Sequence, residues 1–266
     1  RPQRTYDAKT IDIITLNDNI TCIGGASETG TGGAGGAVTF SDLVTIDENI
    51  TIDTSGGVGN SGANNGAGGA ILFTTTLDAT VAETLTLTAA GATDGVIDFK
   101  QAVGSGTPLG LVTINDAAAV KAWSTFQCAG FSQTTAGTGT IQFVGLLTSS
   151  AAVTITATTV DLDLGITTTA GSDAGLVTLT GSVDVNLAAA ATITTAAAAG
   201  TVSGAIAING TGSGTATILG DLVTTGTNNG SGVGSAGGAV NITTVNGIVD
   251  LDAITTTGGS GSAGNI

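Results

Sequence analysis

Along most of the chain apolar and polar residues alternate one by one, as in Leu85-Thr86-Leu87-Thr88 and Val153-Thr154-Ile155-Thr156. A period of two places every apolar side chain of a run on one face of an extended strand. The runs are short and end in Gly, Asn and Ser, which read as turns. No 3.6-residue stripe is visible, and the abundant Thr and Gly disfavour helix. The unit G-x-[VI]-x-[FIL] recurs eight times, as GAVTF (36–40), GAILF (69–73), GVIDF (95–99), GLVTI (110–114), GTIQF (139–143), GLVTL (175–179), GAIAI (204–208) and GAVNI (238–242).

Self-similar strand units at spacings of 15 to 36 residues suit a solenoid, because each coil buries its inner face on the coils above and below. The first clear coil reads GAVTF, LVTI (43–46), ITIDT (50–54) and a Gly/Asn-rich excursion from Ser55 to Gly68. The second repeats the strand order with a shorter excursion. The pattern predicts an all-β chain folded as a right-handed parallel β-helix (β-solenoid), with about three short strands per coil and Gly-rich loops. Residues 1–31 are expected to form an N-terminal cap or an extended arm that pairs with a neighbour, and residues 32–266 the solenoid repeats. An irregular coil is expected near 100–138, where Trp123, Phe126 and Phe131 would fill a displaced turn and Ala117–Ala122 would make one turn of helix. The final Gly264-Asn265-Ile266 reopens the repeat motif, which predicts an open C-terminal end that either continues into more protein or is covered by another subunit through end-to-end stacking.

Composition narrows the class. Of 266 residues, 44 are Gly and 50 are Thr, while aromatic residues make up 3% and charged residues 9%. Val, Ile, Leu and Ala must therefore build a thin core, Gly is expected at positive-φ corners, and Thr suits a pleated strand. The 41% hydrophobic content excludes a disordered chain. A net charge of −15, with no Lys or Arg after Lys121, makes nucleic acid and anionic membrane poor partners. No apolar run reaches the roughly 20 residues of a membrane span. The opening RPQRTYDAK, without Met, is expected of an excised segment or of a processed mature chain, first of all one from which a secretory signal has been removed. Cys22 and Cys128 are several coils apart by this reading, too far for a disulfide, and are expected as isolated buried thiols.

The runs AGGAV (34–38 and 236–240), AGGAI (67–71), TTGTNNGSGVGSAGGAVNI (224–242) and ITTTGGSGSAGNI (254–266) resemble the strand repeats of very large bacterial surface proteins. These are the filamentous-haemagglutinin-like adhesins and related autotransporter passengers. The resemblance covers most of the chain in composition and period. It implies a β-helix outside the cell, at a cell surface, acting as a filament or sheath building block or as an adhesin stalk. Partners would then be further copies of the chain, as an oligomer or polymer, and a glycan or a host or neighbouring cell surface.

Candidate chemistry is sparse. With no His, nucleophilic triads and most zinc sites are excluded. A carbohydrate-active enzyme on the same scaffold would need clustered carboxylates with a cation, for which Asp94, Asp98, Lys100 and Asp116 are the local candidates. Trp123, Phe126 and Phe131 are the candidates for a sugar-stacking platform. No organic cofactor is expected. Calcium is the ion that same-face carboxylates two residues apart could hold, at Asp161 and Asp163, at Asp250 and Asp252, or at the neighbouring Asp47 and Glu48. Thr84/Thr86/Thr88, Thr154/Thr156/Thr158 and Thr192/Thr194 would form hydroxyl ranks of the kind that meet ice, although Asp is expected to interrupt them. Asn-x-Ser/Thr triplets begin at Asn19, Asn49, Asn209, Asn229 and Asn241.

Overall fold

A computed structural model of the chain describes residues 13–60, 65–135, 139–170, 175–197, 201–212, 215–227, 234–245, 249–259 and 265–266. Every pairing between its strands is parallel and in register, apart from local bulges beside Thr159 and Asp116. Strands pair with the equivalent strand of the next coil, so backbone hydrogen bonds run along one axis. One series passes through Ile71–Phe73, Val96–Phe99, Ala119–Ala122 and Thr140–Phe143. A second passes through Ile50–Asp53, Leu85–Thr88 and Leu109–Asp116, and onward through Phe126–Gln133 into Val153–Leu162, Val177–Leu187, Ile206–Gly210 and Val240–Thr244. Another links Leu147–Ser149, Gly165–Ala170, Thr192–Ala197, Asp221–Thr225 and Ile254–Thr257. Upstream, Ile13–Leu16 stacks on Leu43–Ile46, and Ile20–Thr21 on Ile50–Asp53. Residues 1–12 of the expected cap or arm lie outside the described residues.

The alternation of apolar and polar residues becomes an alternation of inside and outside. Strands such as Leu85–Thr88 bury the first and third side chains and half-expose the others. The interior is one continuous core from Leu16 to Val240. All six Phe of the chain lie in it. Phe40, Phe73 and Phe99 are register partners whose rings stack with centroids 4.7 and 5.1 Å apart. In the next coil Ala122 takes that position. Phe126, from the adjoining face, meets Phe99 and Phe143 edge-on at 5.3 and 5.7 Å, filling the volume that the small residue leaves.

Three local expectations are corrected. The stretch 117–122 contains no helix: Ala119–Ala122 is a strand paired on both sides, and Ala117 is buried at the corner before it. Phe126 and Phe131 fill the core as expected, but Trp123 lies outside, 44% exposed. Among the described residues only Gly104 and Gly165 have positive φ, so most Gly serve close approach rather than turn geometry. In the loops that leave at Cys22 and Thr54, outgoing and returning arms hydrogen-bond to each other (Gly33 N–H to Gly25 O, Gly66 N–H to Gly57 O). They also bond to the next loop (Gly57 N–H to Gly33 O, Gly35 N–H to Ala67 O). A Cβ on Gly57 would overlap the Gly25 carbonyl, and one on Gly66 the Gly33 carbonyl. Only Gly admits such packing, as at the axis of a collagen triple helix.

The eight repeat motifs occupy two series of strands. GAVTF, GAILF, GVIDF and GTIQF belong to the series containing the Phe column, whereas GLVTI, GLVTL, GAIAI and GAVNI belong to the adjoining one. What they share is the strand after a loop. Early loops leave one corner, between Cys22 and Gly36 and between Thr54 and Gly69; later loops leave another, between Thr168 and Gly175, Thr195 and Gly204, and Thr224 and Gly238. At these later loops, and at the early one after Thr54, a fully buried Thr donates its hydroxyl to the carbonyl of the motif Gly. The distances are 2.7 Å for Thr54 to Gly69, 2.8 Å for Thr168 to Gly175, 2.6 Å for Thr195 to Gly204 and 2.8 Å for Thr224 to Gly238. Ser149, register partner of Thr168, closes a tight corner in the same way on Ala151 O. The latch fixes where the chain re-enters the coil whatever the loop length.

Two outcomes test this packing. Thr224→Val leaves the buried Gly238 carbonyl without its hydroxyl donor and is expected to cost about 1–3 kcal/mol in denaturant unfolding. Gly57→Ala is expected to lower the melting temperature clearly, while Gly25→Ala, whose Cβ would meet nothing within 4 Å, leaves it within error; equal effects would refute the close-packed loops.

Candidate surface site at Trp123

Lys100 and Lys121 are the cationic side chains of the described residues, and both lie against Trp123, the one Trp of the chain. Lys121 and Asp98 are register partners on adjacent strands, and their side chains point outward because Val120, Ala122, Ile97 and Phe99 take the inward positions. Lys121 Nζ sits 3.6 Å from the centroid of the indole ring and Lys100 Nζ 4.8 Å. The indole Nε1–H donates to Asp98 Oδ1 at 2.9 Å, and Lys100 Nζ pairs with Asp98 Oδ2 at 2.5 Å. The group is thus closed on itself. Asp98 accepts from both partners, and the ring carries ammonium groups instead of a free stacking face. Sequence reasoning placed Trp123 in the core; the signal it passed over was the Lys-x-Trp alternation of 121–123, which puts both residues outside.

The catalytic candidates divide. Asp98 and Lys100 belong to the Trp123 group. Asp94 and Asp116 meet at the corner before it, where Asp94 Oδ1 accepts the Gly91 N–H at 2.7 Å. Burial, then the charge of Asp94, pushes the Asp116 carboxyl above the ordinary carboxylate range, partly offset by the Ala117 N–H. Asp98 lies within the strand Val96–Phe99 and Asp94 at the corner before it, and among the described residues no three acidic side chains gather, so the four residues do not converge on one point.

The calcium candidates are placed as follows. Asp161 continues the outward row Asp98, Lys121, Gln142, Asp161, Asn186, Thr217 and Asp250. Its carboxyl is raised by burial and then by neighbouring Asp163, and lowered by Lys121. Asp163 accepts a long hydrogen bond from Gln142 Nε2 at 3.4 Å. Asp250 and Asp252 are exposed and stand three strands away from the first pair, about 14 Å. Asp47 Oδ1 accepts the Thr80 hydroxyl at 2.7 Å, and Glu48 is exposed. Among the described residues no three His, Cys, Asp or Glu side chains gather. One Asp pair offers up to four carboxylate oxygens against the six to eight ligands calcium prefers, so waters or a second molecule would have to complete the shell.

Other candidates have structural employment. Asn49 Oδ1 accepts from both the backbone N–H and the hydroxyl of Thr84, and Asn19 Oδ1 from the Thr51 N–H. Asn229 lies outside the described residues. Cys22 and Cys128 are both free, the first half-buried and the second buried. Burial drives the Cys128 thiol up to about 12, which removes it as a nucleophile at neutral pH.

Because Asp161 is held above its unfolded value, its ionisation opposes folding at neutral pH, and that penalty disappears as pH falls through the folded pKa toward the unfolded value. Asp161→Asn is therefore expected to raise the melting temperature by a small amount at pH 7 and to leave it nearly unchanged near pH 3. A destabilised variant at pH 7 would instead show that the carboxylate is held by favourable contacts. No helix among the described residues is long and apolar enough to cross a membrane. Comparison with protein-family models, with curated proteins and with solved structures finds no match to this chain.

Proposed function

We propose that the chain is a non-enzymatic structural rod, a right-handed β-solenoid with three strands per coil, secreted and displayed at a bacterial cell surface as a filament building block or an adhesin stalk. The observation that carries this reading is the parallel pairing of every described strand from Ile13 to Thr257, interrupted only by two local bulges, around a core in which no described side-chain nitrogen or oxygen is buried without a partner. A stack of that kind resists extension because neighbouring coils are tied by backbone hydrogen bonds along the axis. Its most organised surface group, at Trp123, is satisfied internally, which favours a scaffold over a turnover site. The strand pairings fall into separate series that recur in the same order along the chain, which supports three strands per coil. The acidic surface would keep rods apart until a divalent cation or a specific contact joins them.

Electron microscopy of the purified protein, with and without calcium, tests the proposal. Rods of about 43 Å, from the nine ~4.8 Å intervals between ten stacked layers, or ordered filaments made from them, are expected; filaments that form only with calcium would assign the Asp pairs to contacts between molecules. Depolymerisation of any member of a polysaccharide panel, lost on Asp98→Asn or Asp161→Asn, would overturn the non-enzymatic reading.

A further inference from the structure

The face that carries Thr86 and Thr154 differs from the rest of the surface. Thr51, Thr86, Thr113, Ser132, Thr154 and Thr178 are successive register partners, so six consecutive coils present one outward hydroxyl each, at about 4.8 Å intervals. Beside this row, roughly 6.7 Å along the strand direction, stand Thr88, Thr156 and Thr180, the first and last of which accept hydrogen bonds from Asn115 and Asn209. The expected interruption by Asp is absent from the row itself: Asp53 and Asp116 occupy the neighbouring column at the loop corner. Thr158 belongs to the bend next to a bulge, and Thr192 and Thr194 to another face.

Unlike the shorter column on the neighbouring face, where Thr148, Thr167 and Thr194 are bounded by Gln127 and Val223, the row carries a hydroxyl through six coils, and three further properties mark it. Its hydroxyls have no hydrogen-bond partner among the described residues, whereas Thr54, Thr168, Thr195 and Thr224 spend theirs on loop carbonyls and Thr84 on Asn49. It is uncharged in a chain of net charge −15. Its spacing is fixed by the backbone ladder, and β-branching limits the rotamers of its Thr.

We propose that this face adsorbs to ice. A hydroxyl both donates and accepts, as water does, and the ladder sets these hydroxyls in a rigid, evenly spaced row that a periodic lattice of water can meet at every coil, while the methyl groups beside them exclude disordered water. A second copy of the chain is a poorer occupant: five intervals of ~4.8 Å by about 10 Å give ~240 Å², well below the roughly 800 Å² per partner of a stable protein interface. A crystalline polysaccharide is also poorer, since stacking on its sugar rings calls for aromatic side chains and the one Trp stands on another series with its ring against Lys121.

The inference rests on the parallel register and is independent of the cell-surface proposal. The test is uptake of the fluorescently labelled protein into a slowly grown ice hemisphere, with thermal hysteresis measured alongside. The intact chain is expected in the ice, the T113K/T154K double variant is expected at background, and the T167K/T194K control on the neighbouring face is expected to match the intact chain. Circular dichroism checks that each remains folded. If the lysine variants fail to fold, T113V/T154V, which removes hydroxyls while keeping shape, is expected to lower uptake. No uptake by the intact chain, equal loss in the T167K/T194K control, or retention on crystalline cellulose or chitin without entry into ice would overturn the proposal and leave the rod reading untouched.

Discussion

Parallel hydrogen bonding along a single axis is the constraint from which the other features of this protein follow. Each strand lies on the equivalent strand of the previous coil, so a side chain meets, above and below, residues in its own position. Small or polar intruders in the core must then be matched locally. Ala122 is matched by Phe126 from the adjoining face. Gln133, fully buried between Ile114 and Ile155, donates to Thr135 O and accepts the Thr156 N–H. Such local compensation lets a core with few aromatic residues remain continuous.

The loops follow a second rule, that an excursion of any length must return to the same point. Buried hydroxyls at Thr54, Thr168, Thr195 and Thr224 close loops on motif Gly residues 7 to 15 positions away. Insertion at these corners changes the decoration without changing the coil. The migration of the long loops from one corner to the next turns their surface around the axis between the first and last coils. Where loops stack, Gly is required by the proximity of neighbouring backbones, and the side of the strand stack becomes a hydrogen-bonded layer of its own.

Charge is arranged in keeping with a scaffold. Lys100 and Lys121 are taken up by Trp123 and Asp98, and the two carboxyls held above their ordinary range owe this first to burial and then to a like-charged neighbour. In the uncharged row from Thr51 to Thr178 the regularity of the ladder is presented outward as hydroxyls, without a carboxylate among them.

The alternation of residues determined by itself that the chain is extended, which side chains face inward, and that the repeats stack, because inside–outside alternation is a local property of a strand. Strand positions such as Val38–Phe40, Leu43–Ile46 and Ile50–Asp53 were legible for that reason. The tertiary structure alone decided what lies beside what. Identical motifs fall on different faces because coil length varies from 19 residues between Thr140 and Thr159 to 35 between Ile50 and Leu85, and sequence period cannot fix register when loops change length. The same uncertainty hid the Trp123 group, whose members are 25 residues apart, the separation of Asp94 from Asp98, and the row from Thr51 to Thr178. A Thr that points outward and a Thr that latches a loop are chemically identical in the sequence; only the position of the corner, set by packing across coils, distinguishes them.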